Sequence, residues 1–182
     1  MRILVDMDGV LADFEGGFLK LWMREHPQKI HIPLEERSVF YITDQYPVEW
    51  KADIHEILTA PNFFRGLEPI AGGREALNEM QALGIEVFIC TSPLTEYRNC
   101  VLEKFEWVNE HLGPEWIEKI ILTSDKTLVQ ADILIDDRPE LPGVDVPRWE
   151  HVLFEAAYNA NLPEKRRINW QNWQKVLLNE QS

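Results

Sequence analysis

Four short stretches of this sequence hold side chains that together could grip a divalent cation and an anion. Asp6 and Asp8 stand two residues apart in Asp6-Met7-Asp8-Gly9, directly after the apolar run Ile3-Leu4-Val5. Clustered carboxylates repel, and they stay ionised most easily with a divalent metal or another cation between them. A second acidic pair, Asp136-Asp137, closes the apolar run Ile133-Leu134-Ile135. Adjacent acids in that position are hard to read as a solvated face. Thr91 and Ser92, followed by Pro93, offer hydroxyl and backbone donors to an anion, with a plain Ser/Thr turn as the alternative. Lys126 lies in Thr123-Ser124-Asp125-Lys126-Thr127, behind a third apolar run. A lone lysine is most often a surface residue, so its meaning depends on the company it keeps.

Those groups need elements to position them. Five apolar runs read as strands: Ile3–Asp6, Glu86–Cys90, Lys119–Leu122, Ile133–Asp136 and His151–Phe154. The chemistry-bearing stretches follow four of them, at the C-terminal strand tips where open α/β sheets bind ligands. Between the runs lie helical periods. Ala76, Leu77, Met80 and Leu83 mark one over Arg74–Leu83, and Tyr97, Val101, Phe105, Val108 and Leu112 mark a longer one ended by Gly113-Pro114. Trp170, Trp173 and Leu177 predict a last helix from about Trp170 to Leu178, with Asn169 as its cap. Strands alternating with helices predict an α/β fold, a Rossmann-like parallel sheet with helices on both faces.

The stretch from Phe14 to Pro69 breaks this rhythm. It has helical patterns at Phe18, Leu21 and Trp22 and at Ile54, Ile57 and Leu58, no convincing strand pair, and a dense set of aromatics. The expected organisation is therefore a core of residues 1–13 and 70–182 with a small helical cap, 14–69, inserted after the first strand. Pro69 and Gly72-Gly73 mark the return. Most of its aromatics should form the cap's own core, while a few could line a pocket against the carboxylate edge.

Composition bounds the partners. A net charge of −13 argues against nucleic acid polymers, which need a basic face to displace counterions, but allows a small anionic substrate. No 18-residue apolar stretch exists, so no membrane partner is expected. The N-terminus lacks a basic region ahead of a long apolar segment, and the only cysteines, Cys90 and Cys100, read as reduced buried thiols in a cytoplasmic protein, with a redox pair as the alternative. The five histidines form no zinc-ligand spacing, and there is neither a Walker phosphate loop nor a GxSxG elbow. The sequence carries no sign of oligomeric state, which leaves a homodimer open.

In order, the strand tips deliver Asp/Asp, Thr/Ser, Lys and Asp/Asp, which resembles the haloacid dehalogenase superfamily over the entire core. That resemblance implies phosphoryl transfer, a reaction catalysed mainly by positioning and charge neutralisation. It implies Asp6 as nucleophile forming an aspartyl-phosphate, and Asp8 as the acid and then base that serves the leaving oxygen and the attacking water. Asp8 selects phosphate over halide, which leaves unaided. Thr91 with Ser92 would hold the phosphoryl oxygens, and Lys126 would offset charge. Magnesium would take Asp6, the carbonyl of Asp8 and one of Asp136 and Asp137. Asp137 is the favoured direct ligand, because neighbouring strand residues point to opposite sides, with Asp136 orienting the site from behind.

Within that superfamily, Asp6-Met7-Asp8-Gly9-Val10-Leu11-Ala12-Asp13-Phe14-Glu15, Phe88-Ile89-Cys90-Thr91-Ser92-Pro93, Asp125-Lys126-Thr127, Leu134-Ile135-Asp136-Asp137-Arg138-Pro139 and Trp149-Glu150-His151-Val152-Leu153-Phe154 look like the 5′(3′)-deoxyribonucleotidases. This likeness implies a magnesium-dependent nucleotidase acting on deoxyribonucleoside monophosphates, with a helical cap closing over the base. Phe14 and Phe40 match base-sandwiching positions and Tyr41 follows in the same segment; ordinary cap packing is the alternative. Lys104, on the Tyr97 helix, could approach the phosphate, but a solvated helix face is the favoured reading. Ser124 stands where animal members typically carry Arg, which leaves substrate preference open. The competing functions are a phosphatase for another small ester, such as a sugar phosphate, and a catalytically silent binding module.

Overall fold

The computed structural model describes residues 1–162 and 164–178. Its elements run β1 (Arg2–Val5), α1 (Phe14–Glu25), α2 (Ile42–Gln45), α3 (Lys51–Thr59), α4 (Gly73–Ala82), β2 (Glu86–Thr91), α5 (Tyr97–His111), β3 (Ile120–Leu122), β4 (Ile133–Asp136), β5 (Glu150–Phe154), β6 (Arg167–Ile168) and α6 (Trp173–Leu178), joined by loops and short 3-10 turns. Each of the five expected strands is present within one residue at either end. The sixth, β6, is two residues long and extends the sheet beside β5. It is too short to show any hydrophobic period.

All pairings are parallel, in the order β3-β2-β1-β4-β5-β6. β1 is therefore flanked by β2 on one side and β4 on the other, and the connections leave it in opposite directions. Such a reversal opens a crevice at the C-terminal strand ends. Side chains alternate across the sheet. Ile3, Val5, Val87, Ile89, Ile133 and Ile135 face one layer, shared with Leu77 and Met80 of α4, Trp107 and Val108 of α5, and Trp173 and Leu177 of α6. Leu4, Cys90, Leu134 and Trp149 face the other, closed by Val129, Ala131 and Leu141. That thinner cover comes from loops, so the core's α-helices lie on the first face. Cys90 and Cys100 are both free and buried.

Between β1 and α4 the chain is helical, without strands. Its two ends run side by side: Asp13 N–H donates to Glu68 O at 2.8 Å and Ile70 N–H to Leu11 O at 2.7 Å. Asp13 caps α1 by accepting from Gly16 N–H at 2.9 Å. At the return, Gly72 has φ +87, and a side chain there would press on Trp170, 3.0 Å from its Cβ. A left-handed backbone against a tryptophan leaves glycine as the residue that fits. α6 begins at Trp173 rather than Trp170, because Asn169 accepts from the N–H groups of Gln171 and Asn172 and holds a turn there. Trp170 instead donates its indole N–H to Val10 O at 2.8 Å.

One face of α5 carries three polar side chains that hold the end of the helical stretch. Asn99 donates to Thr59 O at 3.0 Å, and Trp107 donates its indole N–H to Leu67 O at 2.8 Å. Between them, the buried Glu103 carboxylate accepts from the N–H groups of Asn62 and Phe64 at 2.6 and 3.1 Å. Asn62 is left-handed, φ 68, which bends these backbone donors around the carboxylate. Spacings of four residues put all three on one side of the helix.

Candidate active site

The strand tips converge as the sequence implies, because β1, β2 and β4 are adjacent and end at one edge. Asp6 follows β1, Thr91 ends β2 and Asp136 ends β4. One carboxylate oxygen from each of Asp6, Asp136 and Asp137 lies within 4.8 Å of the others. Lys126 is buried between two of them, its ammonium 2.6 Å from Asp136 Oδ2 and 2.8 Å from Asp6 Oδ1. The Asp6 contact is one of charge, without the alignment of a hydrogen bond. Burial alone would lower the Lys126 pKa, but the charges of Asp6 and Asp136 overturn that and hold it above its ordinary value. Lys126 is thus a fixed cation. Its loop is tied down by Asp125, which accepts from Thr127 N–H at 2.9 Å, and by Trp149, which donates to Lys126 O at 3.3 Å.

The two acids ending β4 have different surroundings. Asp136 spends both oxygens on the protein, accepting from Lys126 and, at 2.9 Å, from Arg138 N–H. Asp137 accepts from the Tyr158 hydroxyl through Oδ2, while its buried Oδ1 has no hydrogen-bond partner among the described residues. Burial raises both carboxyl pKa values; for Asp137 the neighbouring charges of Asp136 and Asp6 raise it further. Burial first, and then Asp137's charge, also pushes the Tyr158 phenol up, which keeps it a donor. Gly9, with φ +76, passes directly over this carboxylate, and a methyl group there would come within 2.9 Å of Asp137 Cγ and closer still to Oδ2. The orphaned oxygen and the raised pKa values are what a carboxylate cluster shows when its counter-cation is a metal. The residues therefore fit a divalent ion held by Asp6 and Asp137. The Asp8 carboxylate is not in that cluster.

Asp8 pairs with a residue expected on a solvated face. Lys104 is buried, with its ammonium 2.6 Å from Asp8 Oδ2 and 2.7 Å from Thr91 Oγ1. The correction has a physical cause. The buried face of α5 runs through Cys100, Glu103, Lys104, Trp107 and Val108, whereas Tyr97 is 63% exposed. Of the stripe Tyr97, Val101, Phe105, Val108 and Leu112, the C-terminal pair Val108 and Leu112 is buried, while Val101 and Phe105 are only half-buried and the buried face turns toward Cys100, Glu103 and Lys104. The bulk of Trp107 and its spacing of three from Lys104 was the available signal. Burial raises the Asp8 pKa, which Lys104 partly offsets and Asp6 reinforces.

Asp6, Asp8, Thr91, Lys126, Asp136 and Asp137 line the floor of a cavity of about 280 Å3, with Lys104 behind Asp8 and Thr91; the cavity also takes in Phe14, Phe40, Tyr41 and Ser92, together with Leu58, Leu94, Arg138, Leu141 and Tyr158. All the site residues expected from the sequence thus share one cavity. Phe14 packs edge-on against Phe63 at 5.4 Å, and Phe40 does so against Tyr41 at 5.1 Å and Tyr158 at 5.8 Å. Phe14 and Phe40 are half-buried and Tyr41 is half-exposed, unlike Phe18, Trp22, Tyr46, Phe63 and Phe64, which form the buried aromatic core of the helical stretch. Ser124 is exposed and does not line this cavity. The wall holds groups that no local pattern marked. Arg138 lies over the Phe40 and Tyr41 rings and donates to the Tyr41 hydroxyl at 2.6 Å. Arg37 is buried against Glu15, 2.6 Å from its carboxylate, and donates to Phe40 O at 3.2 Å.

The family described as 5′ nucleotidase, deoxy (pyrimidine), cytosolic type C protein matches residues 1–181. The chain belongs to this family. The human 5′(3′)-deoxyribonucleotidase of cytosolic type is 46% identical over 187 residues, covering 97% of this chain and 93% of that one. A Bordetella pertussis relative carrying a 5′(3′)-deoxyribonucleotidase name is 47% identical over 180 residues, covering 99% and 97%. Among solved structures, a HAD family hydrolase from Deinococcus radiodurans with bound phosphate and sodium superposes with a TM-score of 0.63 at 14% identity, covering 97% and 94%. A HAD-hydrolase from Bacillus subtilis bound to magnesium gives a TM-score of 0.62 at 10% identity, covering 97% and 98%. The fold is that of the haloacid dehalogenase-like α/β hydrolases, and this family member is a phosphomonoester hydrolase. No helix among the described residues is long and apolar enough to cross a membrane.

Proposed function

We propose that this chain is a magnesium-dependent 5′(3′)-deoxyribonucleotidase, which hydrolyses (deoxy)nucleoside monophosphates through an aspartyl-phosphate. The observation that carries the reading is one cavity that joins Asp6, Asp8, Lys126 and Thr91 to an aromatic wall of Phe14, Phe40 and Tyr41. A phosphate ester alone needs only the charged floor. The apolar wall suits the face of a nucleobase and excludes water from the phosphoryl centre. A sugar phosphate would be served better by a polar wall. Residues 14–69 act as the cap and 1–13 with 70–182 as the core. The free buried cysteines and the cytosolic-type relative support a cytoplasmic setting.

Asp6 attacks phosphorus; its new O–P bond forms as the ester O–P bond breaks. Asp8 donates its proton to the leaving nucleoside oxygen, and burial, which raises its pKa, favours the protonated form that this step needs. Thr91 and Ser92 hold the phosphoryl oxygens. Lys104 and Lys126 neutralise the charge they carry in transit. Asp8, now a carboxylate, takes a proton from water, which attacks phosphorus and releases inorganic phosphate with Asp6 restored. Magnesium, held by Asp6, the backbone carbonyl of Asp8 and Asp137, with Asp136 bracing the site through Lys126, would supply electrostatic stabilisation of the phosphoryl oxygens. The test is phosphate release from ribo- and deoxynucleoside monophosphates and sugar phosphates, with magnesium and with chelator. Chelator-sensitive release favouring deoxynucleotides is expected. Release favouring sugar phosphates would reassign the cap, and no release from any ester would point to a silent binding module.

A further inference from the structure

Tyr158 stands where the metal-binding carboxylates meet the aromatic wall, and the reaction above gives it no task. It sits on a 3-10 turn, Ala157–Asn159, after β5. The fully buried Asn159 fixes that turn. Its amide donates to Asp137 O at 2.7 Å and to Phe154 O at 2.8 Å, while its oxygen accepts from Ala156 N–H at 3.1 Å. The backbone of Asp137 is thereby bound to the element that carries Tyr158. Its side chain is bound there too, through the Tyr158 hydroxyl on Oδ2. Gly9 closes the other side of the same oxygen, with no room for a side chain. Both devices act on Oδ2, and Oδ1 alone is left without a partner among the described residues. The ring of Tyr158 is held in turn by the edge of Phe40 at 5.8 Å and by the Arg37 guanidinium 5.9 Å above it.

Resting on the metal site proposed above, we infer that Tyr158 is a positioning residue for the divalent cation: its hydroxyl fixes the Asp137 carboxylate so that Oδ1 is presented to the ion, while its ring forms part of the base-binding wall. A carboxylate can turn about its last bond and use either oxygen. Restraining one oxygen removes that freedom before the metal arrives. Groups that orient metal ligands from behind carry tenfold to hundredfold effects on affinity. Because hydroxyl and ring have separate tasks, they are separable by mutation.

The experiment uses the full chain, stripped of metal, with Mn2+ as the probe, titrated by calorimetry. Tyr158→Phe keeps the ring and its packing against Phe40 and Arg37 but deletes the hydroxyl. It is expected to weaken Mn2+ binding about 10- to 100-fold and, because a buried carboxylate loses a donor, to lower the metal-free melting temperature modestly. Tyr158→Ala, which removes the ring as well, should raise the KM for nucleotide at saturating metal above that of Tyr158→Phe. A cycle with Asp137→Asn assigns the effect: in that background the further change Tyr158→Phe should leave Mn2+ affinity unaltered. Tyr158→Phe with wild-type affinity would overturn the inference while leaving the metal site intact. So would an equal loss from Tyr158→Phe in the Asp137→Asn background, which would mean a general structural effect. A wild-type chain that binds no Mn2+ would overturn the metal site itself.

Discussion

Lys104→Met is the sharpest test of the site as assembled, because nothing local marks this lysine for chemistry. The side chain is 1% exposed, and its ammonium makes two short contacts, to Asp8 at 2.6 Å and to Thr91 at 2.7 Å. Methionine keeps much of the length and deletes the charge. Breaking a buried ion pair ordinarily costs about 3–5 kcal/mol, because it strands the partner. Here Asp8 can respond by taking up a proton: burial already raises its pKa, and Lys104 is the strongest opposing influence. Its side chain is also 25% exposed. Stability should therefore fall by less than that range. Catalysis has no such escape. Removing one preorganised donor from a site of developing charge costs about 2.7–4 kcal/mol, or about 100- to 1000-fold in kcat. The assay is steady-state phosphate release from a deoxynucleoside monophosphate, run across pH, with melting temperature measured in parallel. With its neighbouring cation gone, Asp8 should hold its proton to higher pH, so the alkaline limb of kcat/KM should move upward. A variant with wild-type kcat and an unmoved limb would refute both the placement of Lys104 on the reacting groups and the acid role of Asp8.

Gly9→Ala should push the Asp137 carboxylate off its seat, since the added methyl would lie within 2.9 Å of Asp137 Cγ on a backbone at φ +76; the left-handed conformation itself adds about 1–2 kcal/mol. The variant is expected to keep its circular dichroism spectrum and lose most of the melting-temperature gain from magnesium, and an undiminished gain would contradict the arrangement. The magnesium gain should also depend on pH. Asp136 and Asp137 have carboxyl pKa values raised by burial, so they bind protons more readily folded than unfolded. Their contribution to metal-free stability is present in acid and is lost as pH rises through their folded-state values. Protons and the cation compete for the same oxygens, so the gain should grow from acid toward neutral pH. His151 does not confuse the reading: burial holds its pKa down to about 4, and it stays neutral over this interval. Thermal melts with and without magnesium measure this, and a gain that shrinks toward neutrality would contradict it.

Much of the machine is local. A strand that ends in Asp-Met-Asp-Gly, or in Asp-Asp-Arg-Pro, announces itself through an apolar run stopped by turn-formers. The order of four such tips was enough to place Asp6, Asp8, Thr91, Lys126 and the Asp136-Asp137 pair at one sheet edge. The helical stretch was legible for the same reason, as the place where the alternation of strands and helices lapses. Tertiary structure decided the rest. Whether Lys104 meets water or Asp8 depends on the rotation of α5, and a helix period blurred by Tyr97 and Phe105 fixes that rotation only to within about one residue. Which oxygen of Asp137 lacks a partner among the described residues depends on Tyr158, 21 residues away, and on the bare α-carbon of Gly9. The hydrogen bond from Arg138 to the Tyr41 hydroxyl, which sets the guanidinium over the Tyr41 and Phe40 rings, spans 97 residues. Hydrophobic pattern is written along the chain because burial acts on each side chain where it stands. Partnerships of buried charge are written only in the assembled fold, because each needs a particular neighbour that the chain supplies from elsewhere.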